Sequence, residues 1–121
     1  MRIQTGCDVE QISRVGRLLR QERFCERFFT LAEREHLAAA GPRREQTAAG
    51  IFCAKEAISK ALGRGLYGLL PRELGLEWDG QGAPFVVLTG SARAQYGHLQ
   101  LSVSISHSVD TAFAVCTALE E

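Results

Sequence analysis

Hydrophobic and polar positions change period several times along the chain. Arg2 to Val9 alternates in part, which predicts a short strand ending at Asp8. Ile12, Val15, Leu18 and Leu19 recur at helical spacing and predict a first short helix. Thr30-Leu31-Ala32-Glu33 is a capping-box pattern, with Thr30 at the N-cap and Glu33 three residues on. It opens a helix to about Ala40, where Gly41-Pro42 stops it. From Arg44 to about Leu62 the chain is rich in Ala, Glu, Lys and Leu and free of Pro, so a long helix is expected. Gly63 suits the position just past its end. Gly63-Arg64-Gly65-Leu66-Tyr67-Gly68 reads as a loop. Leu74 to Trp78 and Phe85 to Leu88 flank the turn Asp79-Gly80-Gln81-Gly82-Ala83-Pro84, which predicts a β-hairpin. Gly90 to about Tyr96 reads as a short helix. Leu99 to Ser106 alternates apolar and polar, and Thr111 to Ala118 is apolar enough for a buried last strand. The expected class is α+β: an antiparallel sheet packed against one long helix.

Length and composition narrow the possibilities. A chain of 121 residues predicts one domain spanning residues 1–121, with enough core to fold without disulfides or a structural metal. Its 45% hydrophobic and 23% charged content excludes disorder and low complexity. No apolar run reaches the roughly 18 residues of a membrane span, and the first eight residues lack a signal-peptide core. A cytoplasmic location is expected, with no membrane partner. Fourteen basic residues balance fourteen acidic ones, which argues against a general nucleic-acid binder. The four cysteines form no CxxC pair, so zinc and thioredoxin-like chemistry fail on spacing. Reduced, mostly buried thiols are expected instead.

Three segments carry candidate chemistry. In Phe52-Cys53-Ala54-Lys55-Glu56-Ala57-Ile58-Ser59-Lys60, Glu56 and Lys60 are four apart on one helix face. Alone, such a pair is a solvated contact worth about 0.2–0.5 kcal/mol. Here it interrupts an apolar stretch and precedes a glycine-rich loop. A carboxylate that holds a hard cation, beside a lysine that neutralises phosphate, suits a metal-bound phosphate. Asp8 ends a strand, where an N-cap or turn aspartate is the plain reading; it can also be a second carboxylate for Mg²⁺. If Asp8 to Glu10 is a turn, Glu10 points to the opposite side. In Ser102-Val103-Ser104-Ile105-Ser106-His107-Ser108, Ser104 and Ser106 share a strand face and His107 stands at the strand end. That edge is either solvated or able to grip a phosphate, and it is no Ser-His-Asp triad. Gly63-x-Gly65 matches neither common phosphate-loop pattern. Arg14, Arg17, Arg20 and Arg23 recur every three residues on the first helix and its extension. Such a face is usually solvated, but it can also dock an acidic partner.

Together, and in this order, the segments resemble the holo-acyl-carrier-protein synthase family of 4′-phosphopantetheinyl transferases over nearly the whole chain. Gly6-Cys7-Asp8-Val9 resembles the family's strand with a metal-binding Asp. Phe29-Thr30-Leu31-Ala32-Glu33 resembles its FTxxE segment. Phe52 to Gly63 resembles its central (F/W)xxKExxxKxxG motif. Gly82-Ala83-Pro84 resembles its GxP turn, and Ser104-Ile105-Ser106-His107 its SISH motif. The resemblance implies transfer of the 4′-phosphopantetheine arm of coenzyme A to a serine of apo acyl carrier protein, with Mg²⁺, releasing adenosine 3′,5′-bisphosphate. It implies that Asp8 and Glu56 hold the metal and that Lys60 contacts phosphate oxygens. It further implies that Ser106 and His107 meet the nucleotide phosphates, that Gly63, Gly65 and Pro84 shape the coenzyme A cleft, and that Arg14 faces the carrier. It implies a homotrimer with sites between subunits, and fatty-acid synthesis as the setting. Gln11 stands where an acidic residue is usual, with Glu10 one position away. Ile51 stands where Arg is common, so either one coenzyme A phosphate contact is missing or Arg64 or Arg44 replaces it. The competing readings are a non-catalytic coenzyme A or nucleotide-binding module, and a metal-dependent phosphohydrolase.

Overall fold

The longest helix, α4 (Arg44–Ala61), organises the rest of the chain. Its Ala-rich sequence lets neighbouring backbones approach closely, and twelve of its eighteen residues are buried, which identifies it as the central helix rather than a surface one. It ends as the sequence predicts. Gly63 takes φ 78°, its N–H donates to the Lys60 carbonyl, and the Arg64 N–H donates back to Ser59. The computed structural model describes residues 1–66 and 68–121. Tyr67, in the expected loop, lies outside the described residues.

Before α4 come β1 (Arg2–Gln11), α1 (Ile12–Leu18), α2 (Glu22–Phe28) and α3 (Leu31–Ala39). After it come β2 (Leu74–Trp78), β3 (Pro84–Leu88), α5 (Gly90–Tyr96), β4 (Gln100–His107) and β5 (Thr111–Glu120). The expected α+β class holds, but the strands form two antiparallel sheets. One is three-stranded in the order β1-β5-β4, and the other is the β2-β3 hairpin. Among the described residues no helix is long and apolar enough to cross a membrane.

Two local expectations are corrected. Strand β1 runs past Asp8 to Gln11, paired with β5 throughout (Asp8 opposite Ala114, Gln11 opposite Thr111). Asp8 is therefore neither an N-cap nor a turn residue, and Glu10 shares its face of the strand rather than pointing away. The arginine series is broken as well. Helix α1 stops at Leu18 and α2 starts at Glu22, so Arg14 and Arg17 are on one helix, Arg20 is in the turn and Arg23 is on the next. The cause is the aromatic cluster of α2: Phe28 stacks on Phe24 at 4.9 Å and on Phe52 of α4 at 5.0 Å. Burying those rings outweighs a continuous first helix.

The capping box of α3 forms as predicted. Thr30 Oγ1 accepts from the Glu33 N–H and Glu33 Oε1 accepts from the Thr30 N–H. Glu33 does more than cap. Its Oε2 accepts from the Leu76 N–H of β2 and its Oε1 lies 2.8 Å from Lys55 Nζ. Both side chains are fully buried. The ammonium also donates to the carbonyls of Phe28 and Pro71. This closed network ties α2, α3 and the hairpin to α4.

Candidate active site

Strand β1 reverses the usual alternation. Gln4, Gly6, Asp8 and Glu10 face α4, while Ile3, Cys7 and Val9 face outward. Gly6 is what allows this. A Cβ there would overlap the Ala57 carbonyl oxygen and crowd the Ala61 nitrogen, so strand and helix meet backbone to backbone. That approach brings Asp8 beside the last turns of α4. Lys60 Nζ lies 3.3 Å from Asp8 Oδ1 and donates to the Cys7 carbonyl at 3.0 Å. Asp8 Oδ2 is buried without a hydrogen-bond partner, which is unusual for a carboxylate oxygen.

Glu56 stands on the same side of α4, one turn before Lys60. Burial pushes its carboxyl above the usual range, and the neighbouring Asp8 and Glu10 add to the effect while Lys60 and Arg14 oppose it. Glu10 in turn accepts from Arg14 at 2.7 Å, and the Arg14 guanidinium lies over the Phe52 ring at 5.6 Å. The Cys53 thiol, deeper on the same side, is held up to about 12 by burial first and by Asp8 next. It is not a nucleophile. Among the described residues no three His, Cys, Asp or Glu side chains form a complete metal cage. Two carboxylates with free oxygen capacity are nevertheless what Mg²⁺ needs, since it fills its remaining positions with phosphate and water. The unpartnered Asp8 Oδ2 fits such a cation.

The other predicted residues gather elsewhere. Pro84 and His107 line a cavity of about 390 Å³ together with Arg43, Gln46, Thr47 and Gly50. His107 lies 2.8 Å from the Gln46 side chain, ring nitrogen to amide nitrogen. Asp8, Glu56 and Lys60 do not line this cavity. The separation is built into the topology. Asp8 is on β1 and His107 on β4, at opposite edges of the three-stranded sheet. Along α4, Gln46 and Glu56 are ten residues apart, about 15 Å. Ser106 points to the opposite sheet face from His107, exposed beside Ser102 and Ser104. Gly63 borders a separate cavity of about 320 Å³ with Gln95 and Tyr96. Gly65 lies in the loop beyond it with φ 62°. A larger cavity, about 580 Å³ among Arg27, Leu31, Leu70, Arg72 and Thr89, contains none of the predicted site residues.

A family model described as the 4′-phosphopantetheinyl transferase superfamily matches residues 4–117. The chain belongs to that superfamily. The holo-[acyl-carrier-protein] synthase of Clostridium acetobutylicum is 40% identical over 113 residues, 90% of each chain. A crystal structure of a holo-(acyl-carrier-protein) synthase from Bacillus anthracis in complex with CoA (3′,5′-ADP) matches with a TM-score of 0.82 and 28% identity, over 98% of this chain and 96% of that one. The ACPS–CoA complex of Chronobacterium ammoniagenes matches with a TM-score of 0.86 and 26% identity, over 100% and 99%.

Neither of the two candidate replacement arginines, Arg64 and Arg44, lines the His107 cavity. Ile51 lines the His107 cavity and brings no charge to it. Arg64 donates to Tyr96 Oη at 3.1 Å and to Gln95 Oε1 at 3.4 Å. Arg44 lies outside the cavity, and the arginine that lines it is Arg43. Sequence reasoning missed Arg43 because it sits in the turn before α4, where register on the helix cannot be read. It also missed Gly6, whose only signal was a small residue in an otherwise inverted strand.

Proposed function

We propose that the protein is a holo-[acyl-carrier-protein] synthase, acting as one unit of residues 1–121. It moves the 4′-phosphopantetheine group of coenzyme A onto a serine of apo acyl carrier protein. The serine hydroxyl gives its proton to Glu56 or to a water beside it, and its oxygen forms a new bond to the phosphorus that carries the pantetheine. The pyrophosphate bridge breaks, and adenosine 3′,5′-bisphosphate leaves. The observation that carries the reading is the open group of Asp8, Glu56 and Lys60, with a buried carboxylate oxygen left unpartnered. Few buried carboxylate oxygens in a purely structural ion pair go without a partner.

Asp8 and Glu56 would hold Mg²⁺, which when bound supplies positive charge to the pyrophosphate oxygens. Lys60, half exposed, reaches the same oxygens and counters charge that builds on the leaving group. Transfer of this kind needs positioning and charge neutralisation rather than a covalent nucleophile. Gly63 and Gly65 shape the coenzyme A cleft beside Lys60, and Pro84 shapes it in the second cavity. His107 meets the nucleotide phosphates there, with Arg43 beside it, while Ser106, on the opposite sheet face, is left to phosphates held by a neighbouring copy.

The Asp8 group and the His107 cavity are separated within one chain, so a complete site joins halves from neighbouring copies. The outward sheet face supports a homotrimer: Ile3 is 60% exposed, Val9 59% and Phe113 42%, an apolar surface suited to burial against copies of itself. Arg14 faces the acidic carrier. The protein works in the cytoplasm, in fatty-acid synthesis.

Intact-mass spectrometry of apo carrier, incubated with the protein, coenzyme A and Mg²⁺, tests the reading. A gain of one phosphopantetheine, lost with EDTA, is expected. Coenzyme A cleaved with the carrier unmodified would instead favour a phosphohydrolase, and coenzyme A bound but intact a binding module.

A further inference from the structure

The group around Asp8 has one acidic neighbour that the transfer reaction leaves unused. Glu10 follows Asp8 by two residues on the same face of β1. Burial and Asp8 raise the Glu56 carboxyl first, and the charge of Glu10 adds to them. Glu10 is already engaged, since its Oε1 accepts from Arg14 at 2.7 Å. Arg14 in turn lies over the Phe52 ring, 5.6 Å from its centroid. Phe52 precedes Glu56 by one turn of α4. Strand β1, helix α1 and helix α4 therefore meet at this contact. Glu10 touches the arginine that faces the carrier and shares a strand face with a carboxylate that would hold the cation. The ion pair is also open to exchange. Arg14 is 49% exposed and Glu10 21%, and a pair of that kind is weak enough for an incoming carboxylate to displace.

We propose that Glu10 is a positioning residue that links carrier docking to divalent-cation binding, by competing with the carrier's carboxylates for Arg14. This rests on the transferase reading and adds a coupling between its two ends. While Glu10 holds Arg14, the arginine is withheld from the carrier. A carrier carboxylate that takes Arg14 leaves Glu10 without its counter-charge, near Asp8 and Glu56. Without a cation, that gathers like charges and opposes docking. With a divalent cation held by Asp8 and Glu56, the released charge is attracted to it instead. Each ligand then binds more tightly in the presence of the other, and by linkage the factor is the same in both directions.

Calorimetric titration of apo carrier into the full chain, with and without saturating Mg²⁺, tests the link. Coenzyme A is left out so that nothing is transferred. Wild type should bind the carrier about fivefold more tightly with Mg²⁺. Glu10→Gln keeps the side chain's size and removes its charge. It should bind the carrier more tightly than wild type when Mg²⁺ is absent, and Mg²⁺ should then add less than about twofold. Arg14→Gln, which leaves nothing to compete for, should bind the carrier weakly and respond to Mg²⁺ as little. A merely structural Glu10–Arg14 pair would change carrier affinity without changing its dependence on Mg²⁺. The two ways of failing are distinct. If the carrier binds, and is modified once coenzyme A is supplied, but Mg²⁺ leaves wild-type affinity unchanged or tightens Glu10→Gln equally, the link is wrong and the transferase reading stands. If the carrier neither binds nor gains phosphopantetheine, the transferase reading fails and takes this inference with it.

Discussion

Helix α4 carries two lysine–carboxylate pairs five residues apart, and they are opposites. Lys55 and Glu33 are fully buried at 2.8 Å, and further bonds to Phe28, Pro71, Thr30 and Leu76 use up the remaining capacity of both groups. Lys60 and Asp8 are 3.3 Å apart, Lys60 half exposed, with one Asp8 oxygen buried and unused. The first network is closed and the second is open. A closed network fixes a fold, because removing either partner strands a buried charge. An open one has coordination left for something that is not protein. The two adjacent letters of the Lys55-Glu56 motif thus belong to different tasks, with Lys55 holding the scaffold and Glu56 turned toward Asp8.

The widest separation between the two pairs should come from stability. Lys55→Ala should cost about 3–5 kcal/mol in urea unfolding, since Glu33 would remain buried and uncompensated. A cost below about 1 kcal/mol would mean that water reaches the pair, and the contrast would collapse. Next comes activity. Lys60→Ala should lower phosphopantetheine transfer on the order of 10²–10³-fold while costing no more than about 1 kcal/mol of stability. A large stability loss with transfer intact would reverse the two roles.

Gly6→Ala sharpens the contrast without touching a charge. The new methyl must push β1 away from α4, which should cost about 1–3 kcal/mol. It should also reduce transfer, because Asp8 moves off Lys60 and Glu56 while Lys55 and Glu33 stay put. Activity preserved in a folded Gly6→Ala protein would show that the strand–helix approach does not set the site. The smallest effect belongs to Arg14→Glu: a rise of a few-fold in KM for the carrier at low salt, fading as salt is added. A KM unchanged at low salt would remove α1 from the docking face.

The sequence announced elements more readily than placements. The capping box at Thr30, the Ala-rich α4 and the hairpin around Gly80 were legible because each is a local signal. The length of β1 was not, since its inner face is polar and its outer face apolar, so alternation misleads about which side is core. The break between α1 and α2 was hidden because the Phe24–Phe28–Phe52 cluster that causes it draws on two distant segments. For the site, Asp8, Glu56 and Lys60 could be named from residue type and motif. Their proximity depends on Gly6, and the separation of His107 depends on sheet order, and neither is a local property. Trp78 and His36, which line the His107 cavity forty-two residues apart in sequence, meet only once α3 packs on the hairpin.

The most direct test measures carrier modification and the urea midpoint together for Lys55→Met and Lys60→Met. The account predicts that Lys60→Met keeps the wild-type midpoint and fails to add phosphopantetheine, while Lys55→Met loses the midpoint. A Lys60→Met protein that modifies the carrier at the wild-type rate would contradict it.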